Sequence, residues 1–135
     1  MDRFFWLAVI AFLLPTFPLG YVWHLVVFRQ QYERLGIYRD QVLIPLGLGS
    51  MFIQAGLFAW LYPRVFSTAH EAWLSSGARF GLVFGILAWS FTTLPVAAKY
   101  KMTSIRAFIA LESAFTVIQF LIVAPLIALA WRDRA

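Results

Sequence analysis

Four long apolar blocks, separated by short polar segments, constrain the fold of this chain more than any other feature. They run from about residue 4 to 28, 41 to 62, 78 to 98 and 103 to 131. Each has about 20 residues or more, enough for a helix to cross a hydrocarbon core of about 30 Å. Because the blocks are continuously apolar rather than alternating, they predict helices and not barrel strands. The connections are short, so we predict an all-α fold: an integral membrane, antiparallel four-helix bundle formed as a single domain over residues 1–135.

The composition and the charge support a membrane protein. Hydrophobic residues make up 62% of the chain and charged residues 13%, whereas a soluble domain carries about 25% charged residues. The net charge of +5 comes from basic residues scattered between apolar blocks. This pattern is typical of membrane-end anchors, so the expected partner is the lipid bilayer and not a nucleic acid. Cysteine is absent, which excludes disulfides, thiolate metal sites and covalently attached c-type haem.

The distribution of basic residues gives a prediction of orientation. The side of the first connection (29–40) and the third connection (99–104) carries Arg29, Arg34, Arg39, Lys99, Lys101 and Arg106. The other side carries Arg3, Arg64, Arg79, Arg132 and Arg134. The positive-inside rule therefore favours, by one residue, the first and third connections in the cytoplasm and both termini outside.

Small residues and prolines indicate how the helices pack. Gly77, Gly81 and Gly85 are four residues apart and share one helix face, which predicts close contact with another helix. Their spacing does not distinguish a partner helix in the same chain from one in another chain. Pro15 and Pro18 should kink or break the first helix.

A glutamate in the fourth block is the most informative polar residue, because a carboxylate inside a bilayer is costly and is often functional. Each of the four blocks places a polar side chain in the same half of the membrane. The expected intramembrane cluster, a candidate ligand or ion site, comprises Glu112, His24, Gln54, Thr93, Thr116 and Ser50. Two roles for the glutamate remain open. It could be a protonated hydrogen-bonding group that ties helices together, or it could hold an exchangeable proton or a cation.

Other site chemistry is not indicated by the sequence. No histidine and acidic residues have metal-binding spacing, and His24 and His70 fall on opposite sides of the predicted bundle, so they could not ligate one haem. No serine has a histidine and an acid arranged for nucleophilic catalysis. We therefore expect no metal, no cofactor and no catalytic residues, and the chain does not read as an enzyme.

Three stretches resemble a known family. They are LGYVWHLVVF (19–28), GLVFGILAW (81–89) and ALESAFTVIQFLIVAPLIALAWR (110–132). In layout the chain resembles the small four-helix bacterial membrane proteins of the DUF1761 type. The resemblance implies a multi-pass protein of the bacterial cytoplasmic (inner) membrane. Because the function of that family is unknown, it implies no activity and no site residues.

Two functions are compatible with these features. The favoured interpretation is an accessory or structural subunit that self-assembles, or joins a larger membrane complex, through the face of Gly77, Gly81 and Gly85. The alternative is a small oligomeric transporter or ion carrier, with Glu112 in a polar intramembrane cavity.

Overall fold

The computed structural model describes residues 2–134, so Met1 and Ala135 of the predicted 1–135 domain lie outside the described residues. The described chain is all-α, which confirms the predicted fold class. Its helices are α1 (Arg3–Val22), α2 (Arg29–Leu35), α3 (Ile44–Val65), α4 (Trp73–Thr92), α5 (Leu94–Lys99) and α6 (Ile105–Trp131). A π-helical turn, Trp23–Val27, continues α1, and a 3₁₀ turn, His70–Ala72, precedes α4.

Four helical segments are long and apolar enough to cross a membrane: Arg3–Val27, Ile44–Val65, His70–Lys99 and Ile105–Trp131. The bounds differ from the predicted ones, most of all at the start of the third segment, which is His70 and not residue 78. Two further features follow from prolines. The second segment begins at Ile44 and not at residue 41, because Pro45 occupies the first helical turn, where a missing N–H costs nothing. The third segment is interrupted at Thr93, because Pro95 falls in the first turn of α5 and cannot continue the α4 ladder.

The first helix does not break at its prolines. Asp2 caps it by accepting a hydrogen bond from the Phe5 N–H at 3.1 Å, and α1 stays helical through both Pro15 and Pro18. The irregularity comes later, in the π-helical turn, where the Phe28 N–H bonds to the Trp23 carbonyl five residues back. Of the expected kink or break at the prolines, the break was therefore wrong, and the irregular hydrogen bonding lies one turn beyond them.

Hydrogen bonds between the chain segments show that consecutive long helices run antiparallel. At one end, Asp2 pairs with Arg134 at 3.2 Å, and His70 bonds to Asp133 at 2.7 Å. At the other end, the Thr103 N–H donates to the Leu35 carbonyl at 3.1 Å. Both chain ends and the second connection therefore lie on one side of the bundle, and the first and third connections lie on the other.

Helix α6 is the centre of the bundle and packs between α1 and α4, while α3 packs mainly on α1. The glycine face of α4 lies directly on α6. A Cβ at Gly81 would stand 2.8 Å from the Ala124 Cβ, and one at Gly77 would stand 3.0 Å from the Ala128 Cβ. At Gly85, the nearest atoms belong to Phe120. The three glycines are therefore helix-packing residues within the chain. They also line a groove between α4 and α6, so assembly with another chain through this face stays a prediction.

Candidate functional site

The candidate site is centred on Glu112, which lies two turns inside α6. The helix begins after Ser104, whose hydroxyl accepts a hydrogen bond from the Ala107 N–H at 3.2 Å. At 1.5 Å per residue, the backbone of Glu112 lies roughly 10 Å from the start of this helix. The side chain turns into the bundle and is only 14% exposed. A carboxylate at this depth needs partners from neighbouring elements.

The π-helical turn brings His24 to the carboxylate. The His24 Nε2 lies 3.0 Å from the Glu112 Oε1, and the His24 Nδ1 lies 2.9 Å from the Gly20 carbonyl oxygen. Since a carbonyl oxygen can only accept, the Nδ1 carries a hydrogen and donates it. The imidazole is therefore fixed in orientation, with its Nε2 facing the acid. π-Helical turns of this kind occur frequently at functional sites.

The second partner, Tyr32, comes from the short helix α2. Its hydroxyl donates to the Glu112 Oε1 at 2.5 Å and accepts from the Trp23 Nε1 at 3.1 Å. Helix α2 ends at Gly36, whose left-handed φ of 78° turns the chain back. Tyr38 then stacks on Tyr32, with ring centroids 5.2 Å apart and planes 6° from parallel.

These contacts form one continuous chain of hydrogen bonds. It runs from the Trp23 N–H through the Tyr32 hydroxyl to the Glu112 Oε1, and from there through the His24 ring to the Gly20 carbonyl. Indole can only donate and carbonyl can only accept, so the polarity of both ends is set. The one undetermined position is the hydrogen between the Glu112 Oε1 and the His24 Nε2. When one hydrogen lies between these atoms, the pair is either an imidazolium with a carboxylate or a neutral imidazole with a carboxylic acid.

Either form has no net charge, which explains how a glutamate is accommodated here. An isolated ion in a low-dielectric interior is far more costly than a hydrogen-bonded pair. The pair is also shielded, with 23% of the His24 side chain and 14% of the Glu112 side chain exposed. The arrangement can therefore hold one proton and move it between two atoms 3.0 Å apart.

Burial, reinforced by the hydrogen bond to Glu112, raises the pKa of Tyr32 well above its ordinary value. Burial, together with the charge of Glu112, also raises the pKa of Tyr38. Both phenols therefore stay protonated at neutral pH, and Tyr32 remains a donor to the acid.

The structure brings together only part of the expected cluster. His24 and Glu112 meet. Thr116 is buried one turn beyond Glu112, but its hydroxyl donates to the Glu112 backbone carbonyl at 2.9 Å. Thr93 is buried where α4 meets α5, and within residues 2–134 its hydroxyl has no hydrogen-bond partner.

Ser50 and Gln54 lie outside the site. Both are exposed on the outer surface of α3, and the Ser50 hydroxyl donates to the Gly47 carbonyl at 2.7 Å. Helix α3 turns its small residues Ala55 and Ala59 inward, because these allow close approach to α1. The predicted depth of Ser50 and Gln54 did not determine which way α3 faces.

Two site residues were missed from the sequence. The segment 29–40 was treated only as a polar connection, whereas it contains α2, with Tyr32 and Leu35 buried on one face. Their spacing of three residues, followed by Gly36, is the signal of a short amphipathic helix with a glycine C-cap. Trp23, adjacent to His24, is the other omission.

The described residues form no metal-binding group. Across residues 2–134, no three His, Cys, Asp or Glu side chains come together as a metal-binding group. The site holds one histidine, one carboxylate and one phenol, a set suited to hydrogen bonding and to proton exchange.

Comparison with family models, curated proteins and solved structures gives no match. The resemblance to the DUF1761 proteins therefore stays a prediction.

Proposed function

We propose that this protein is a small multi-pass carrier of the bacterial cytoplasmic membrane, in which the His24–Glu112 pair holds an exchangeable proton. The supporting observation is the convergence of α1, α2 and α6 on one carboxylate oxygen through His24 and Tyr32. Intramembrane acids paired with histidine are characteristic of proton relays and ion pathways. The contact of the His24 Nδ1 with the Gly20 carbonyl holds the ring so that its Nε2 faces the acid.

The site can stabilise the negative charge that remains when the pair gives up its proton. Loss of the shared proton leaves an anion that still accepts from the Tyr32 hydroxyl at 2.5 Å. Charge-assisted hydrogen bonds of this kind are about twice as strong as neutral ones. Tyr32 therefore stabilises the deprotonated intermediate that a carrier must pass through.

A single copy offers a polar site in only one half of the bundle. The other half is closed by packed aromatic rings, among them Phe12 on Phe58 and Phe58 on Phe80, with centroids 5.3 Å apart in each pair. Tyr62 packs on the same cluster. We infer that a complete pathway needs a second copy or another membrane subunit, with the first and third connections in the cytoplasm and the termini outside.

Proton flux into reconstituted vesicles tests this function. Vesicles containing the parent protein and an internal pH-sensitive dye should equilibrate an imposed pH gradient faster than empty vesicles. The Glu112→Gln variant should lose this excess rate. The matched control is Glu33→Gln, which alters an exposed carboxylate of α2 and should keep it. If vesicles with the parent protein equilibrated the pH gradient no faster than empty vesicles, the proposed carrier function would be refuted.

An accessory subunit remains the second candidate, favoured by an outer groove. An apolar groove of about 650 Å³ lies between α4 and α6, bordered by Leu82, Ile86 and Val117. Native mass spectrometry of the protein, extracted gently from its own membranes, tests this role. A stoichiometric complex with other proteins would support it, and a chain that is alone or self-associated would count against it.

A further inference from the structure

We propose that a second groove, between α1 and the first half of α3, binds one anionic membrane lipid. The head group lies at Arg39, and an acyl chain lies along the groove wall. The groove adjoins the candidate site, because His24 and Tyr38 are among its lining residues. Glu112 itself does not line the groove, so lipid binding and proton exchange can fail separately.

The groove exists because α3 packs on α1 only through its second half. Ala55, Ala59 and Tyr62 are buried there. In the first half, residues 44–47 are exposed, and a Cβ at Gly47 would meet nothing within 4 Å. The two helices separate toward the first connection and leave a volume of about 440 Å³. This lies within the range of about 300–1,000 Å³ of small-molecule sites.

The wall of the groove suits a hydrocarbon chain. Phe17 of α1, Leu48 and Met51 of α3, and Phe115 of α6 line it. Its rim includes Val42 and Leu43, which are 42% and 51% exposed. A water-soluble anion would gain nothing from these apolar surfaces, whereas a lipid already in the bilayer would bury its chain against them.

The mouth of the groove suits an anionic head group. Arg39 lines it, and no aspartate or glutamate is among the lining residues. In residues 2–134, no carboxylate lies within 4.0 Å of the Arg39 guanidinium, while Arg29 of the same connection is paired with Glu33 at 2.8 Å. Basic pockets between membrane helices on the cytoplasmic side bind anionic head groups. This agrees with the proposed orientation of the first connection.

Two glycines of α3 provide a matched pair of variants. A Cβ at Gly47 or at Gly49 would meet nothing within 4 Å, but only Gly47 lines the groove. Gly47→Leu should therefore fill the groove without disturbing the helix packing, and Gly49→Leu should place the same side chain on the surface outside it.

Native mass spectrometry of the full chain in detergent, with equal amounts of phosphatidylglycerol and phosphatidylcholine added, measures retention. The parent should retain one phosphatidylglycerol in preference to phosphatidylcholine. Gly47→Leu should lose retention of both lipids, and Gly49→Leu should match the parent. Arg39→Gln should lower the preference for phosphatidylglycerol roughly fivefold, since a basic residue near an anionic surface contributes about 1 kcal/mol. Arg34→Gln should not lower it.

Several outcomes would overturn this assignment. Equal retention by Gly47→Leu and Gly49→Leu would exclude the groove, and equal retention of the two lipids by the parent would exclude anionic selectivity. Competition by inorganic phosphate would point to a soluble anion, and a second copy of the chain displaced by Gly47→Leu would point to a protein contact. The Glu112→Gln variant separates the two proposals: it should keep the lipid even if it abolishes proton flux.

Discussion

Replacing Glu112 by alanine should destabilise the bundle far more than removing an exposed carboxylate. The substitution removes two side-chain hydrogen bonds, from His24 at 3.0 Å and from Tyr32 at 2.5 Å. It also leaves the phenol and the imidazole nitrogen buried without their acceptor. Hydrogen bonds between membrane helices contribute on average about 0.6 kcal/mol each, with a maximum near 1.7. Breaking a buried pair by removing one partner costs about 3–5 kcal/mol.

Taken together, these values predict a loss of about 2–4 kcal/mol in the free energy of unfolding for Glu112→Ala. Glu112→Gln should cost only about 1 kcal/mol, because the amide oxygen still accepts from one of the two donors. Glu33→Ala should match the parent, since Glu33 and its partner Arg29 are both more than half exposed.

The assay is reversible unfolding in mixed micelles, followed by circular dichroism as a denaturing detergent replaces a mild one. The loss in the free energy of unfolding should be largest for Glu112→Ala, smaller for Glu112→Gln and smallest for Glu33→Ala. If Glu112→Ala lowered the free energy of unfolding no more than Glu33→Ala does, the hydrogen bonds from His24 and Tyr32 would contribute no stability, and the reasoning from the hydrogen-bond chain would be refuted.

Three further changes test other parts of the structure by the same unfolding measurement. Gly81→Ile should lower the free energy of unfolding by about 1–3 kcal/mol, because the new side chain overpacks against Ala124. Gly49→Ile places the same side chain in open space and should leave the free energy of unfolding unchanged. Equal losses for the two variants would contradict the α4–α6 contact. Thr103→Ala should cost about 1 kcal/mol by removing its hydrogen bond to the Arg34 carbonyl, and an unchanged midpoint would count against that bond. Because the folded pKa of Tyr32 is raised, its stabilising contribution is complete below the unfolded value of about 10 and is lost as pH rises toward the folded one. The parent should therefore lose stability above about pH 10, and Tyr32→Phe should lose less; identical alkaline profiles would refute this.

Hydropathy and loop length were sufficient to predict the four long helices and their antiparallel order. These properties depend on the bilayer dimension and on backbone hydrogen bonding, and both can be read along the chain. Pro95 accounts for the interruption of the third segment at Thr93, and Pro45 accounts for the start of α3 at Ile44. The position of the distortion in α1 could not be predicted from the prolines. The helix continues through both of them, and the π-helical turn forms beyond them.

The site was only partly predictable, because depth in the membrane does not determine rotation about a helix axis. Glu112 and His24 were expected in one cluster, and they meet. Gln54 was expected there by depth, but the inward face of α3 is determined by its close contact with α1, a tertiary property. Tyr32 was missed because the seven-residue helix α2 was treated only as a polar connection between two membrane segments.

Infrared difference spectroscopy of the protein in lipid bilayers, titrated with pH, tests the central claim most directly. The quantity of interest is the carboxyl signal of the parent minus that of Glu112→Gln. If the His24–Glu112 pair holds an exchangeable proton, the parent will show a carboxyl band that changes its protonation with pH and that the glutamine variant lacks. Spectra that are the same for both proteins at every pH would contradict the claim and leave Glu112 as a fixed tie between helices.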